Sequence, residues 1–265
     1  MFLRTIFTLL IICVNISFSG PVWQKISGTT SGGTGGGTQP TTGLISYHAF
    51  ETNAVDTKDP TYNGTASNVG WNDSKTGLGR CMSTLGAASS YVTIPSSLLA
   101  GRSKITISLW VYIQQGQATL PIIGWDYNFQ PSNQPPLGIF YTGTGQPINN
   151  GDGLQVQQNS FRFEINGNPI NLGYNQPAAG WYNLVLTANT GTYRLYMNGA
   201  PVGSFSASTY FSTTNVLPMY LGLQPYKGYG ASPFVMTQTT LDELRVYNYQ
   251  MSDAEVLALY QSYIQ

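Results

Sequence analysis

Charge is what this chain has least of. Lys+Arg 11 and Asp+Glu 11 amount to 8% of 265 residues, against about 25% in ordinary soluble proteins. The formal net charge is zero, so there is no basic face of the kind that binds nucleic acid phosphates. There is 1 histidine, His48. A His-based metal site is therefore excluded, and a Ser-His-Asp triad would have to use that one ring. The glutamates stand at Glu51, Glu164, Glu243 and Glu255, with no i,i+2 or i,i+4 pair to put two carboxylates on one strand face. Asp242 and Glu243 are adjacent, so a regular strand would send them to opposite faces. Paired-carboxylate glycoside hydrolysis has no motif here. No Gly-rich loop leads from a strand into a helix, which removes a phosphate cradle. The expectation is a protein that is not an enzyme.

Cysteine is nearly absent too, with 2 in the chain. Met1 to Arg4 is a short basic start, Ile6 to Ile16 an apolar run, and Ser17 to Gly20 a small-residue cleavage region. That order is a secretory signal peptide, expected over residues 1–19. The run falls short of the ~20 residues that span a bilayer, and no later segment reaches that length. The expected location is therefore extracellular, with no membrane span. Cys13 leaves with the leader, and Cys81 remains as a lone thiol that cannot form an internal disulfide. It reads as a small buried hydrophobe.

What the chain does have is 30 Gly, 15 Pro and 18 Tyr: many turns between short strands, and an uncharged surface rich in hydroxyls and amides. Residues 20–42 hold Pro21 to Ile26, an apolar peptide, followed by a flexible Gly/Ser/Thr-rich linker. Pro21 to Ile26 would either fray or pair with a strand edge, its own or that of a second copy, giving self-association. From Gly43 the chain reads as strands. Lys104 to Ile113 alternates, with Ile105, Ile107, Leu109, Val111 and Ile113 on one face. Further strands are expected at 44–51, 90–94, 120–125, 137–141, 154–157, 160–165, 181–188, 192–197, 200–205, 216–223 and 234–247. Asn166-Gly167 and Asn198-Gly199 are hairpin turns, because both positions tolerate positive φ. Ser252-Asp253-Ala254-Glu255 is a capping box. It opens one short helix whose buried stripe is Val256, Leu257, Leu259 and Tyr260. Many strands and one terminal helix make an all-β, two-sheet antiparallel sandwich, with the helix expected at its edge.

Several blocks resemble a laminin-G-like jellyroll domain of the concanavalin A-like lectin/glucanase superfamily. They are Gly43 to Glu51 with Asp56, Tyr91 to Pro95, Ile105 to Val111, Trp181 to Val185, Arg194 to Gly199, and Leu241 to Asn248 followed by Met251 to Val256. The last block is the most specific, and together they span residues 43 to 263 in the family's order. The domain is expected over 43–265. The resemblance implies a two-sheet jellyroll and a possible structural calcium ion held between the first and last strands. The matching positions here are Glu51, Asp56 and Asp242, where relatives usually carry aspartate first. Calcium takes six to eight hard oxygens, which carboxylates and loop carbonyls supply. The alternative for Asp242 is a hydrogen-bonding role in closing the sandwich.

Two functional classes follow. One is a secreted, non-catalytic module for a neutral carbohydrate or an extracellular surface. Its candidate ligand-binding residues are Trp125, Tyr127, Tyr141, Tyr226 and Tyr229, set among Asn, Gln, Gly and Pro where the chain exceeds a minimal jellyroll. Flat aromatic faces stack under the C–H surface of sugars, and amides or acids such as Asp126, Asn128, Asn149 and Asp152 take the hydroxyls. Lys227 is the only base among these loops, so the expected partner is a neutral glycan. The other class is a structural or adhesive extracellular subunit assembling through Pro21 to Ile26. His48 alternates with Ser46 and Phe50 and reads as a strand residue with a structural hydrogen bond. Asn63-Gly64-Thr65 and Asn72-Asp73-Ser74 fit the N-glycosylation acceptor pattern.

Overall fold

The computed structural model describes residues 39–74, 79–85, 89–113, 119–127, 138–142, 161–165, 168–171, 178–206, 216–222 and 238–264. Residues 1–38, including Pro21 to Ile26, lie outside them, as do Leu154–Gln157, Tyr226 and Tyr229. In chain order the strands are β1 (Leu44–His48), β2 (Thr65–Ser67), β3 (Val69–Asp73), β4 (Arg80–Thr84), β5 (Tyr91–Ile94), β6 (Lys104–Ile113) and β7 (Thr119–Tyr127). They continue with β8 (Gly138–Thr142), β9 (Phe161–Ile165), β10 (Asn168–Asn171), β11 (Gly180–Asn189), β12 (Thr192–Met197), β13 (Ala200–Ser206), β14 (Val216–Leu221) and β15 (Thr240–Tyr247). The helix is α1 (Asp253–Gln261).

The strands form two antiparallel sheets, as the alternation and turns predict. The eight-stranded sheet runs β13-β12-β11-β6-β15-β4-β3, with β1 also paired to β15. The seven-stranded sheet runs β10-β9-β8-β7-β14-β5-β2. Between them lies one apolar core. Ile105, Ile107, Leu109, Val111 and Ile113 of β6 enter it as the alternation requires, joined by Leu184, Leu186, Leu241, Leu244 and Val246 from the same sheet. Val92, Ile94, Met219 and Leu221 close it from the other. Cys81 is buried, and its thiol donates to the Asn72 carbonyl at 3.4 Å. Among the described residues no helix is long and apolar enough to cross a membrane.

The β12–β13 hairpin turns at Asn198 (φ 51) and Gly199 (φ 77), the positive pair that Asn-Gly supplies. At the helix, the capping box forms in full. Ser252 Oγ accepts from the Glu255 N–H, and the Ser252 N–H donates to Glu255 Oε2 at 2.7 Å. The helix does not sit at the sandwich edge, however. It lies across the outer face of the eight-stranded sheet, where Val256, Leu259 and Tyr263 pack on Trp110 (β6), Val185 (β11), Tyr196 (β12) and Tyr247 (β15). The reason is in the outward positions of those strands. They carry large apolar side chains where an exposed face would carry polar ones, and a helix stripe removes that area from water. Leu257 departs from the expected stripe and is exposed. β1 ends at His48, before the Glu51 expected from sequence, because the chain turns at Phe50 (φ 52). β3 and β4 were not expected; Gly70, Asn72, Asp73 and Ser83 leave them little apolar alternation to read.

Candidate functional site

The three acids proposed for calcium each have another occupation. Asp56 is buried, and its Oδ1 accepts three backbone N–H groups, from Tyr47 (3.1 Å), Lys58 (2.7 Å) and Asp59 (3.0 Å). It thereby ties the loop after β1. Its Oδ2 stands 3.5 Å from His48 Nε2. Glu51 Oε2 accepts the Arg80 N–H at 2.9 Å, and its carboxylate lies where a side chain on Gly79 would have to be. That bond pins the start of β4. Asp242 is fully buried, and its Oδ1 accepts the N–H of Glu243 at 2.9 Å. Among the described residues no three His, Cys, Asp or Glu side chains form a group that could hold a metal ion. As placed, Glu51, Asp56 and Asp242 do not fit a shared calcium ion.

Asp242 and Glu243 do not point to opposite faces, because β15 is irregular between them and Arg245 in its pairing with β6. Glu243 takes φ 55, a left-handed value rare outside glycine. The extra residue turns Glu243 to the outer side, where Asp242 already pairs with Trp110. There Glu243 meets Arg245 and Tyr47. Arg245 Nη2 donates to Glu243 Oε2 at 2.9 Å, and Tyr47 Oη donates to Glu243 Oε1 at 2.7 Å. Arg245 Nε donates to Tyr263 Oη at 2.7 Å, and the guanidinium lies 3.9 Å from the centre of the Tyr47 ring. Burial and then the Glu243 charge push the Tyr47 phenol well up. Burial likewise raises Tyr247, to about 12. Burial opposes the Arg245 charge, but Tyr263, Glu243 and Tyr47 together hold it firmly protonated. This cluster joins β1, β15 and the end of α1. The other end of the helix is held by Arg194, which pairs with Asp253 (2.6 Å), and by Tyr196 Oη, which donates to Asp253 at 2.8 Å. A shallow cleft of about 510 Å³ beside Arg194, Met251 and Ser252 to Glu255 is built from these same partnered groups.

His48 behaves as a structural residue. Its Nδ1 lies 3.0 Å from the Ala54 carbonyl, and burial pushes its pKa down, against the pull of Asp56. Opposite Leu244 in register, it stacks on Phe50 at 5.8 Å within the sandwich.

The aromatic candidates divide. Trp125 and Tyr127 lie on β7 and Tyr141 on β8, so the seven-stranded sheet carries all three, and β7 runs past the expected 120–125 to include Tyr127. Trp125 stands opposite Met219, and Tyr127 opposite Val216. Tyr141 stands opposite Leu120, five residues from Trp125 along β7, or about 16 Å. Tyr226 and Tyr229 lie outside the described residues. On the same sheet is an aromatic pair that sequence reasoning missed. Tyr91 (β5) and Tyr220 (β14) meet edge to face at 5.6 Å, both half-buried, while their neighbours Val92, Ile94, Met219 and Leu221 fill the core. The signal was present in 90–94: with Val92 and Ile94 inward, Tyr91 and Thr93 must face out. One register row crosses the whole sheet through Thr65, Thr93, Tyr220, Gly124, Gly138, Glu164 and Pro169. Two glycines side by side leave bare backbone next to Tyr220.

Comparison with known proteins agrees with this architecture. No curated protein sequence matches the chain. Among solved structures, domain 4 of AbnA, a GH43 extracellular arabinanase from Geobacillus stearothermophilus, in complex with arabinotriose, superposes with TM-score 0.57 at 19% identity, covering 82% of this chain and 98% of that one. Trypanosoma rangeli sialidase, in complex with 2,3-difluorosialic acid, gives TM-score 0.61 at 17% identity; this chain is covered over 91% but spans only 36% of the sialidase. The binding domain of Paraclostridial Mosquitocidal Protein 1 gives 0.56 at 15%, over 83% of this chain and 52% of that one. At such identities the likeness is one of fold. The laminin-G family model described as the concanavalin A-like lectin/glucanases superfamily matches residues 85–257, and the chain belongs to that family.

Proposed function

We propose that the chain is a secreted, non-catalytic module that binds a neutral carbohydrate through the outer face of its seven-stranded sheet. One observation carries the reading: the half-buried Tyr91–Tyr220 pair beside Thr93 and Thr65, in a row whose next two positions are Gly124 and Gly138. A tyrosine face beside bare backbone accepts a sugar ring, and the threonine hydroxyls can bond to it. The row includes no Lys or Arg, which suits a neutral ligand. Trp125, Tyr127 and Tyr141 lie on the two strands that carry those glycines, but Trp125 is in register with the core residue Met219 and so out of phase with the outward row. The arabinotriose complex of the arabinanase domain supports a sugar as ligand for this fold. Buried Glu243, with both oxygens engaged, supports a binding role over hydrolysis.

The test is retention of the purified protein on columns of arabinan, xylan and β-glucan. Stacking contacts are modest, so affinity on the order of micromolar to millimolar is expected. Tyr220→Ala should abolish retention with little change in melting temperature. Trp125→Ala should weaken retention if Trp125 meets the ligand, and should lower the melting temperature instead if it packs with its register partner Met219. A wild-type protein that ignores all three columns, yet self-associates until residues 20–38 are removed, would replace this reading with the structural-subunit one.

A further inference from the structure

The eight-stranded sheet has its own outer face, and α1 covers only part of it. The helix packs over Trp110, Val185, Tyr196 and Tyr247. Beyond it, nearer the end of β6, one register row runs Gly70 (β3), Ser83 (β4), Thr240 (β15), Tyr112 (β6), Trp181 (β11). Tyr112 and Trp181 meet with ring centroids 5.6 Å apart, and both are half-buried on the two strands at the middle of the sheet. Beside them is a relay of neutral polar groups: Gln238 Nε2 donates to Ser83 Oγ at 2.7 Å, and Ser83 Oγ lies 3.1 Å from Thr240 Oγ1. Gly70 leaves the far end of the row without a side chain.

We infer that this row is a second binding strip for a neutral glycan, on the side of the sandwich opposite the first. Three features carry the inference. Two half-buried aromatic rings stand at the centre of a sheet face that the helix covers only in part, Trp181 touching the helix cluster on one side. Thr240 borders them in the same register, and the Gln238 amide lies over Ser83, whose buried hydroxyl anchors the relay from beneath. The five residues of the row carry no charge, so neither an anionic ligand nor a charged protein surface is favoured. Strands are spaced about 4.8 Å apart, so the row from β3 to β11 is about 19 Å long and suits an extended oligosaccharide rather than a single ring. With one site on each sheet, the module would hold two chains at once, and avidity on a polysaccharide surface would exceed the affinity of either site. The inference takes its ligand class from the reading above, but its residues are separate.

The experiment is calorimetric titration of the full chain with neutral hexasaccharides of arabinose, xylose and glucose, together with bridging of polysaccharide-coated beads. Wild type should bind two molecules and bridge beads. Trp181→Ala and Tyr220→Ala should each bind one and bridge none. Trp181 also packs against the helix cluster, so Tyr112→Thr, a strand-favouring change, is the second variant and should behave as Trp181→Ala does. A stoichiometry of one, lost with Tyr220→Ala and untouched by Tyr112→Thr, overturns the strip and leaves the first site standing. One site lost with Tyr112→Thr and kept with Tyr220→Ala supports the strip and removes the first. Absence of binding overturns both. A dimer in sedimentation that Tyr112→Thr dissociates would make the strip a self-interface and overturn the inference.

Discussion

Arg245→Met should be among the most damaging single changes in the domain. Side chains of Arg245 and Glu243 are 6% and 1% exposed, and their ion pair spans 2.9 Å. Replacing the arginine leaves the Glu243 carboxylate in a dry environment with the Tyr47 hydroxyl as its remaining partner in the cluster. Breaking a buried pair from one side costs about 3–5 kcal/mol, chiefly because the survivor is left uncompensated. Stacking of the guanidinium on Tyr47 and its bond to Tyr263 are lost as well. In a domain of this size 1 kcal/mol moves the midpoint by about 2–4 °C, so the melting temperature should fall by roughly 6–20 °C. Arg245→Met with Glu243→Leu removes both charges, and the double variant should recover stability relative to Arg245→Met alone. Urea unfolding of wild type, the double variant and both single variants, Glu243→Leu included, gives all the terms of the cycle. A single-variant loss below about 1 kcal/mol, or a double variant less stable than the single, would refute the reasoning.

Three further outcomes follow from the same packing. Ser252→Ala removes the side-chain half of the capping box and should cost about 1 kcal/mol in urea unfolding, with glycan retention unchanged. Gly199→Ala should cost more than an ordinary turn substitution, because φ is +77° and the new Cβ would stand 3.0 Å from Leu257 and 3.2 Å from Tyr260; thermal unfolding reads it. Chelation with EDTA should leave the melting temperature unchanged, since Glu51, Asp56 and Asp242 do not gather around one point. A calcium ion at 100 times its dissociation constant would add about 2.7 kcal/mol, so a reversible drop of several degrees would show that one is held elsewhere.

Much of the sandwich is legible in the chain because strand alternation and turn chemistry are local. Lys104 to Ile113 alternates over its whole length and forms β6 to the residue. Asn198-Gly199 supplies two positive φ values, and Ser252 with Glu255 caps the helix, because each needs only neighbours in the chain. The site is less legible. Tyr91 and Tyr220 are far apart in sequence, and only the pairing of β5 with β14 brings their rings to 5.6 Å. Trp125 and Tyr141 end two strands that the sequence predicts and Tyr127 lies just past one, but Gly, Pro and Asn surround all three, and composition does not report a partner strand.

Strand pattern, the Asn198-Gly199 hairpin, helix cap and family likeness all rest on the sequence by itself, since each depends on residue order over a few positions or on the order of blocks. Tertiary structure decided the rest. It laid α1 over a sheet face because Trp110, Val185, Tyr196 and Tyr247 are outward-facing and apolar together only once their strands are paired. It turned Asp242 and Glu243 to one side through an irregularity in β15 that no residue type announces. It also separated the three candidate calcium ligands, Asp56 being drawn to the N–H groups of Tyr47, Lys58 and Asp59, Glu51 to that of Arg80 and Asp242 to that of Glu243.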